Sequence, residues 1–249
     1  MASRALRWLF TCEHATRHVP PAYRPLFSKA GSVLASHRGW DPGALEVFHA
    51  LGPDRADLAL EGRATRLLVD LNRSLHHPRL FSEFTRKLPE IDRRAIIAAW
   101  WRPFRDAAED AVARWLHDNH CVIHLSVHSF TPVLDGRSRA ADFGLLYDPA
   151  RQAERRFADA WGRRLRARGW NVRMNYPYRG VSDGHATALR RRHRDRYAGV
   201  ELELNQGLFG AAGRRRVLAD LQAALGEVDA VTVFTDPAGR ADPATEGPA

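Results

Sequence analysis

His128 closes the apolar run Val122, Ile123, Leu125 and Val127, with Ser126 and Ser129 close by and Pro132 beyond it. A run of that composition reads as a buried strand, and the carboxyl end of a central strand is where α/β sheets place their ligands. His14 follows the apolar run Leu6 to Cys12 in the same manner. Asn72 and Arg73 follow Arg66 to Leu71, and Glu203 lies among Val200, Leu202 and Leu204. If these stretches meet, two imidazoles and an acid can hold a divalent cation while a buried carboxylate moves protons. The chemistry would be hydrolysis.

Each of these residues also has a structural reading. A lone histidine is usually a surface or core residue, and that covers His49, His117, His120 and His193. His124 shares a strand face with His128 and reads as packed, or as support for the site. Asp41 suits the N-cap of a helix from about Gly43 to Leu51, with Pro42 in its first position. It equally suits the carboxylate of a two-histidine, one-carboxylate zinc site whose fourth position is left to water. Glu201 shares the face of Glu203 under strict alternation, so one of the pair is expected at the surface beside an arginine. Asp70-Leu71-Asn72-Arg73 reads as a strand-end cap with surface charge, or as a clamp in which Arg73 and Asn72 grip a substrate carboxylate. Spacing leaves both open.

The elements that must position these residues alternate along the chain. Strands are expected over Leu6–Cys12, Arg66–Leu71, Val122–His128, Phe143–Tyr147, Asn171–Met174 and Gly199–Leu204. Helices are expected over Gly43–Leu51, Ile91–His117 (broken or kinked near Pro103), Ala150–Arg168, Ala186–Arg196 and Arg214–Glu227, with a loop from Ser74 to Glu90. That order describes a single three-layer α/β domain over residues 1–234, with a mostly parallel or mixed central sheet flanked by helices. Residues 235–249 read as a loosely packed tail.

The chain has 249 residues, 45% of them apolar, enough for a substantial core. Its formal charge is +9 and nearly all the excess is arginine, Lys29 and Lys87 being the only lysines. Compositional bias and solvated helix faces account for most of it, and a site for carboxylate substrates for the rest. Cys12 and Cys121 fall in buried strands and read as packed thiols. No apolar run reaches the roughly 18 residues needed to span a bilayer, and the start MASRALRWLFTCEH carries no small-residue cleavage signal, so a cytoplasmic protein is expected. Phosphate loops, CxxC pairs, GxSxG elbows and HExxH are all missing.

The stretches CEHATRHVP, HRGWDPGAL, RLLVDLNRS, LSVHSFTPVLDGRSR with DFGLLYD, NYPYRG and ELELNQGLF, collinear from about residue 10 to 210, resemble the N-formylglutamate amidohydrolase family. That family in turn resembles zinc carboxypeptidases. The resemblance implies a zinc-carboxypeptidase-like fold, one Zn2+ ion and a small N-acyl acidic amino acid as substrate. It makes His128 and His14 zinc ligands, Asn72 and Arg73 the carboxylate clamp, and Glu203 the general base. The chain departs from the H-x-x-E pair of carboxypeptidases, because Arg17 stands three residues after His14. Asp41 is taken as the missing carboxylate ligand, with Glu13 as fallback. Arg66 is expected to stabilise the tetrahedral oxyanion, and Arg137, Arg139 and Arg179 to help bind carboxylates. The implied reaction is N-formyl-L-glutamate plus water giving formate and L-glutamate, late in histidine breakdown.

Two rivals stand beside it. One is another zinc deacylase or carboxypeptidase on the same scaffold. The other is a non-catalytic RNA-binding protein using Arg190, Arg191, Arg192, Arg194 and Arg196, although no aromatics interleave these and a solvated helix face accounts for them.

Overall fold

The computed structural model describes residues 5–52, 55–210, 213–230 and 232–235; nearly all of the expected tail lies outside them. Strands β1 (Leu6–Cys12), β2 (Leu58–Glu61), β3 (Cys121–Phe130), β6 (Phe143–Leu146), β7 (Val172–Met174) and β8 (Tyr197–Asn205) form one sheet in the order β2-β1-β3-β8-β6-β7. All neighbours are parallel except β6 and β8, so the sheet is mixed, as expected. A small hairpin, β4 (Val133–Leu134) and β5 (Arg137–Ser138), stands at the exit of β3.

Period-two alternation divides this sheet chemically. One face presents Phe10, Cys12, Ile123, Leu125, Val127, Val200, Leu202 and Leu204 to α2 (Ala44–Leu51), α5 (Gln152–Ala167) and α7 (Arg214–Gly226), forming the main core. On the opposite face, Leu9, Val122 and Tyr197 are apolar and pack under α4 (Arg102–His117) and α6 (His185–Arg192). Toward the carboxyl ends of the strands that face turns polar, with Thr11, Glu13, His124, Ser126, His128, Glu201 and Glu203, all buried. Burying so many polar side chains is costly unless they satisfy one another or a ligand.

The remaining helices, α1 (Gly31–Ala35) and α3 (Glu90–Ile96), belong to a second apolar cluster. The expected helix over residues 91–117 is α3 and α4 joined by a π-turn, Ile97–Trp101, with Pro103 in the first turn of α4. Pro103, which has no N–H to donate, comes just after the π-turn, where the ladder is already irregular.

Three expectations about elements are corrected. Arg66–Leu71 is not a strand but irregular backbone, although Leu67, Leu68, Val69 and Leu71 are buried. Side chains replace its sheet partners: Ser82 and Thr85 donate to the Leu67 carbonyl, Thr85 to Leu68, and Arg105 to Leu71 at 3.0 Å. The edge strand is Leu58–Glu61 instead. The arginine-rich helix spans only His185–Arg192, and Asp41 does not cap α2, whose N-cap is Gly43 with φ 83°.

Candidate metal centre

His14 stands just past β1 and His128 near the end of β3, the adjacent parallel strand, so the two rings meet with centroids 4.9 Å apart. Asp41, in the loop before α2, closes the group. Its Oδ2 lies 3.2 Å from His14 Nδ1 and 2.9 Å from His128 Nδ1. All three side chains are buried.

Hydrogen-bond direction decides what this cluster wants. Asp70 Oδ1 lies 2.7 Å from His14 Nε2, so that nitrogen donates and His14 Nδ1 presents a lone pair. The Ser126 hydroxyl donates its only proton to Glu13 Oε2 at 2.7 Å. The 2.9 Å contact between Ser126 Oγ and His128 Nε2 is then donated by the imidazole, so the nitrogen of His128 that faces Asp41 is Nδ1, which in the neutral ring carries the lone pair. In their neutral forms the two rings turn lone pairs toward a carboxylate oxygen, an arrangement filled by a metal ion or, without one, by a proton. Tetrahedral zinc with N and O ligands sets neighbouring donor atoms about 3.3 Å apart, close to the 3.2 and 2.9 Å seen. The residues fit the metal.

Electrostatics agrees. Burial alone would raise the Asp41 carboxyl, but His14, His128 and Arg66 outweigh it and hold it well below the usual carboxylate range. For His128 burial works against charge, yet its bonds to Asp41 and Glu13 hold it well above the ordinary imidazole range, so without metal a proton takes the cation's place. Asp70, raised by burial, is lowered overall by Arg66 and His14. Orienting carboxylates of this kind are the usual second partners of metal-binding histidines.

Glu203 is the register partner of His128 on β8. Burial pushes its carboxyl up to about 8, and its Oε2 is buried with no hydrogen-bond partner. Across from it, Gly144 lets the Tyr176 carbonyl approach so closely that a Cβ there would lie 1.7 Å from the oxygen. Glu201, expected as one of a surface and buried pair, is buried as well.

The other expected residues are placed unevenly. Arg66 directs its nitrogens to Asp70 at 2.8 Å and Asp41 at 3.4 Å, which makes it a brace between two carboxylates. Asn72 accepts from the His185 N–H at 2.6 Å, and its Nδ2 lies 3.3 Å from His128 Nε2. Arg73 donates to the Asp183 carbonyl. Arg139 stacks over Tyr178, 5.4 Å from its ring centroid, while Arg137 and Arg179 are exposed. His185 was missed from the sequence, where no apolar strand precedes it. It is buried and lies 2.8 Å from Glu13 Oε1 through Nδ1. His124 proves buried, between Thr11 Oγ1 at 2.8 Å and the Tyr197 hydroxyl at 2.7 Å.

A mixed α/β sheet that brings two histidines and an unpartnered glutamate from its strands to an aspartate in the loop before α2 has the layout of a hydrolase site. A sequence model of the N-formylglutamate amidohydrolase family matches residues 6–210, and the chain belongs to that amidohydrolase family. It is similar to a gene product of Agrobacterium tumefaciens, Atu2144, of known crystal structure, with 30% identity, TM-score 0.74, and 88% of this chain and 89% of that one covered. The N-formylglutamate amidohydrolase of Ralstonia eutropha shares the fold at 19% identity, TM-score 0.66, over 90% of this chain and 93% of its own. No functionally curated protein matches the chain. Among the described residues no helix is long and apolar enough to cross a membrane.

Proposed function

We propose that the chain is a zinc-dependent amidohydrolase that cleaves N-formyl-L-glutamate to formate and L-glutamate, which would place it late in histidine breakdown, in the cytoplasm. The observation that carries this reading is the convergence of His14 Nδ1 and His128 Nδ1 on Asp41 Oδ2, with Glu203 unpartnered on the neighbouring strand.

His14, Asp41 and His128 would hold the ion. When bound, it supplies Lewis acidity that activates water and polarises the amide carbonyl. Glu203 takes a proton from the attacking water, then returns it to the leaving nitrogen as the C–N bond breaks. A carboxyl held near neutrality suits both halves of that transfer. Arg66 braces Asp41 and Asp70, and its expected role at the oxyanion competes with those two ion pairs. Arg73, with Arg137, Arg139 and Arg179, would supply guanidinium groups suited to the two carboxylates of the substrate. Asn72 holds the start of α6 by accepting from the His185 N–H.

The test is formate release by the zinc-loaded protein, with N-acetyl- and N-succinyl-glutamate as comparisons. Preference for the formyl compound is expected. Faster cleavage of a bulkier acyl group would assign a different deacylase activity to the same site.

A further inference from the structure

Beneath the metal centre lies a second group of buried polar residues that the reaction does not use: Thr11, Glu13, His124, Ser126, His185 and Tyr197. Glu13, fully buried, is the hub. Its Oε1 receives the Thr11 hydroxyl at 2.8 Å and lies 2.8 Å from His185 Nδ1; its Oε2 receives the Ser126 hydroxyl at 2.7 Å and lies 3.3 Å from His128 Nε2. A buried carboxylate facing this many donors is an anion held by hydrogen bonds.

Glu13, His124 and His185 are close enough together to suggest a second metal site. The proton directions rule against it. The Thr11 proton goes to Glu13, so His124 Nε2 must donate to Thr11 Oγ1, and His124 Nδ1 faces the Tyr197 hydroxyl. His124 therefore turns no lone pair toward Glu13, and His185 fills the remaining space at Oε1 with its own N–H. The Glu13 carboxylate is thus closed by protons, and within the cluster His185 Nε2 is left without a hydrogen-bond partner.

What the cluster does instead follows from where it meets His128, through the Ser126 hydroxyl at 2.9 Å and from Glu13 Oε2 itself at 3.3 Å. We propose that Glu13 and Ser126 are positioning residues for the metal centre, fixing the His128 proton on Nε2 and thereby turning its Nδ1 lone pair toward His14 and Asp41. Without the Glu13 anion, the Ser126 proton is free to point at His128, and the imidazole then takes the other tautomer, with a proton where the metal must bind. Asp70 does the same for His14 directly, so each imidazole is oriented by a carboxylate, His14 in close contact and His128 mainly through the nearer Ser126 hydroxyl. The inference rests on the metallohydrolase reading above.

The test is Zn2+ titration of the full-length protein against a competing chelator, for wild type, Ser126→Ala, Ser126→Thr and Glu13→Gln, with folding checked by circular dichroism. Wild type is expected to bind one equivalent. Ser126→Ala should stay folded and bind zinc roughly 10- to 100-fold more weakly, and Ser126→Thr, which restores the hydroxyl, should recover most of that loss. Glu13→Gln should match or exceed the loss in Ser126→Ala; should it fail to fold, the two serine variants decide. Unchanged affinity in Ser126→Ala, or equal weakening in Ser126→Thr, would overturn the inference while leaving the metal centre intact. Two equivalents bound by wild type would overturn it by making the Glu13 cluster a metal site. No zinc bound by wild type would remove the metallohydrolase reading itself.

Discussion

His128 and Glu203 face each other as register partners across the β3–β8 ladder, an expected metal ligand and an expected proton carrier fixed by backbone hydrogen bonds rather than by loops. That rigidity separates their roles. Glu203→Gln should keep the metal and lower kcat by roughly 10²- to 10⁴-fold, the usual range for losing a general acid–base group. His128→Ala should lose both metal and activity. Metal content and formate release, measured on the same preparations, check the pair.

The raised carboxyl of Glu203 also has a cost in the metal-free protein. Its value lies near 8 when folded and near 4.5 when exposed, so between these pH values the folded state holds a proton that the unfolded state has released. The Glu203 contribution to stability then falls as pH rises through this window, by ~5 kcal/mol at most. Glu203→Gln removes the dependence. Urea unfolding of chelator-treated protein at pH 5 and pH 8 should show the variant gaining on wild type at the higher pH; parallel behaviour would refute the burial argument.

Arg66 separates bracing from catalysis. It bridges Asp41 and Asp70 with a planar fork that lysine cannot reproduce. Arg66→Lys should weaken zinc binding roughly 10-fold or more, along with activity. A variant with full metal affinity and reduced kcat would return Arg66 to the oxyanion role.

Arg190 tests the rival reading of the arginine-rich stretch. Its Nε lies 2.8 and 2.9 Å from the two oxygens of buried Glu154, and Nη2 donates to the Gly199 carbonyl at 2.8 Å. Arg192 pairs with Glu109 at 3.1 Å, and Arg196 donates to Asn119 at 3.0 Å. Arg190→Ala should destabilise the fold by about 3 kcal/mol, because buried Glu154 loses its buried partner and keeps only Arg151 and the N–H groups of Asp148 and Gly199. An unchanged unfolding midpoint would contradict this.

The sheet and the outward helices were legible because alternation and helical periodicity are local signals, strongest in β3 and β8. His14, His128 and Glu203 stood out as candidates because they follow or interrupt apolar runs, whereas Asp41, which also suited a helix cap, was chosen as a ligand through the family resemblance. Arg66–Leu71 misled because its apolar burial mimics a strand, while the groups that replace its ladder, Ser82, Thr85 and Arg105, lie far along the chain. His185 was hidden for a related reason. It opens α6 after an irregular loop, and only the tertiary fold brings it to Glu13, 172 residues away.

The most direct measurement is anomalous diffraction at the zinc edge from crystals of the zinc-loaded protein. One peak is expected about 2.0–2.2 Å from His14 Nδ1, His128 Nδ1 and an Asp41 carboxylate oxygen. A peak held instead by Glu13 and His185, or bound to either of the expected imidazoles through Nε2, would contradict the account.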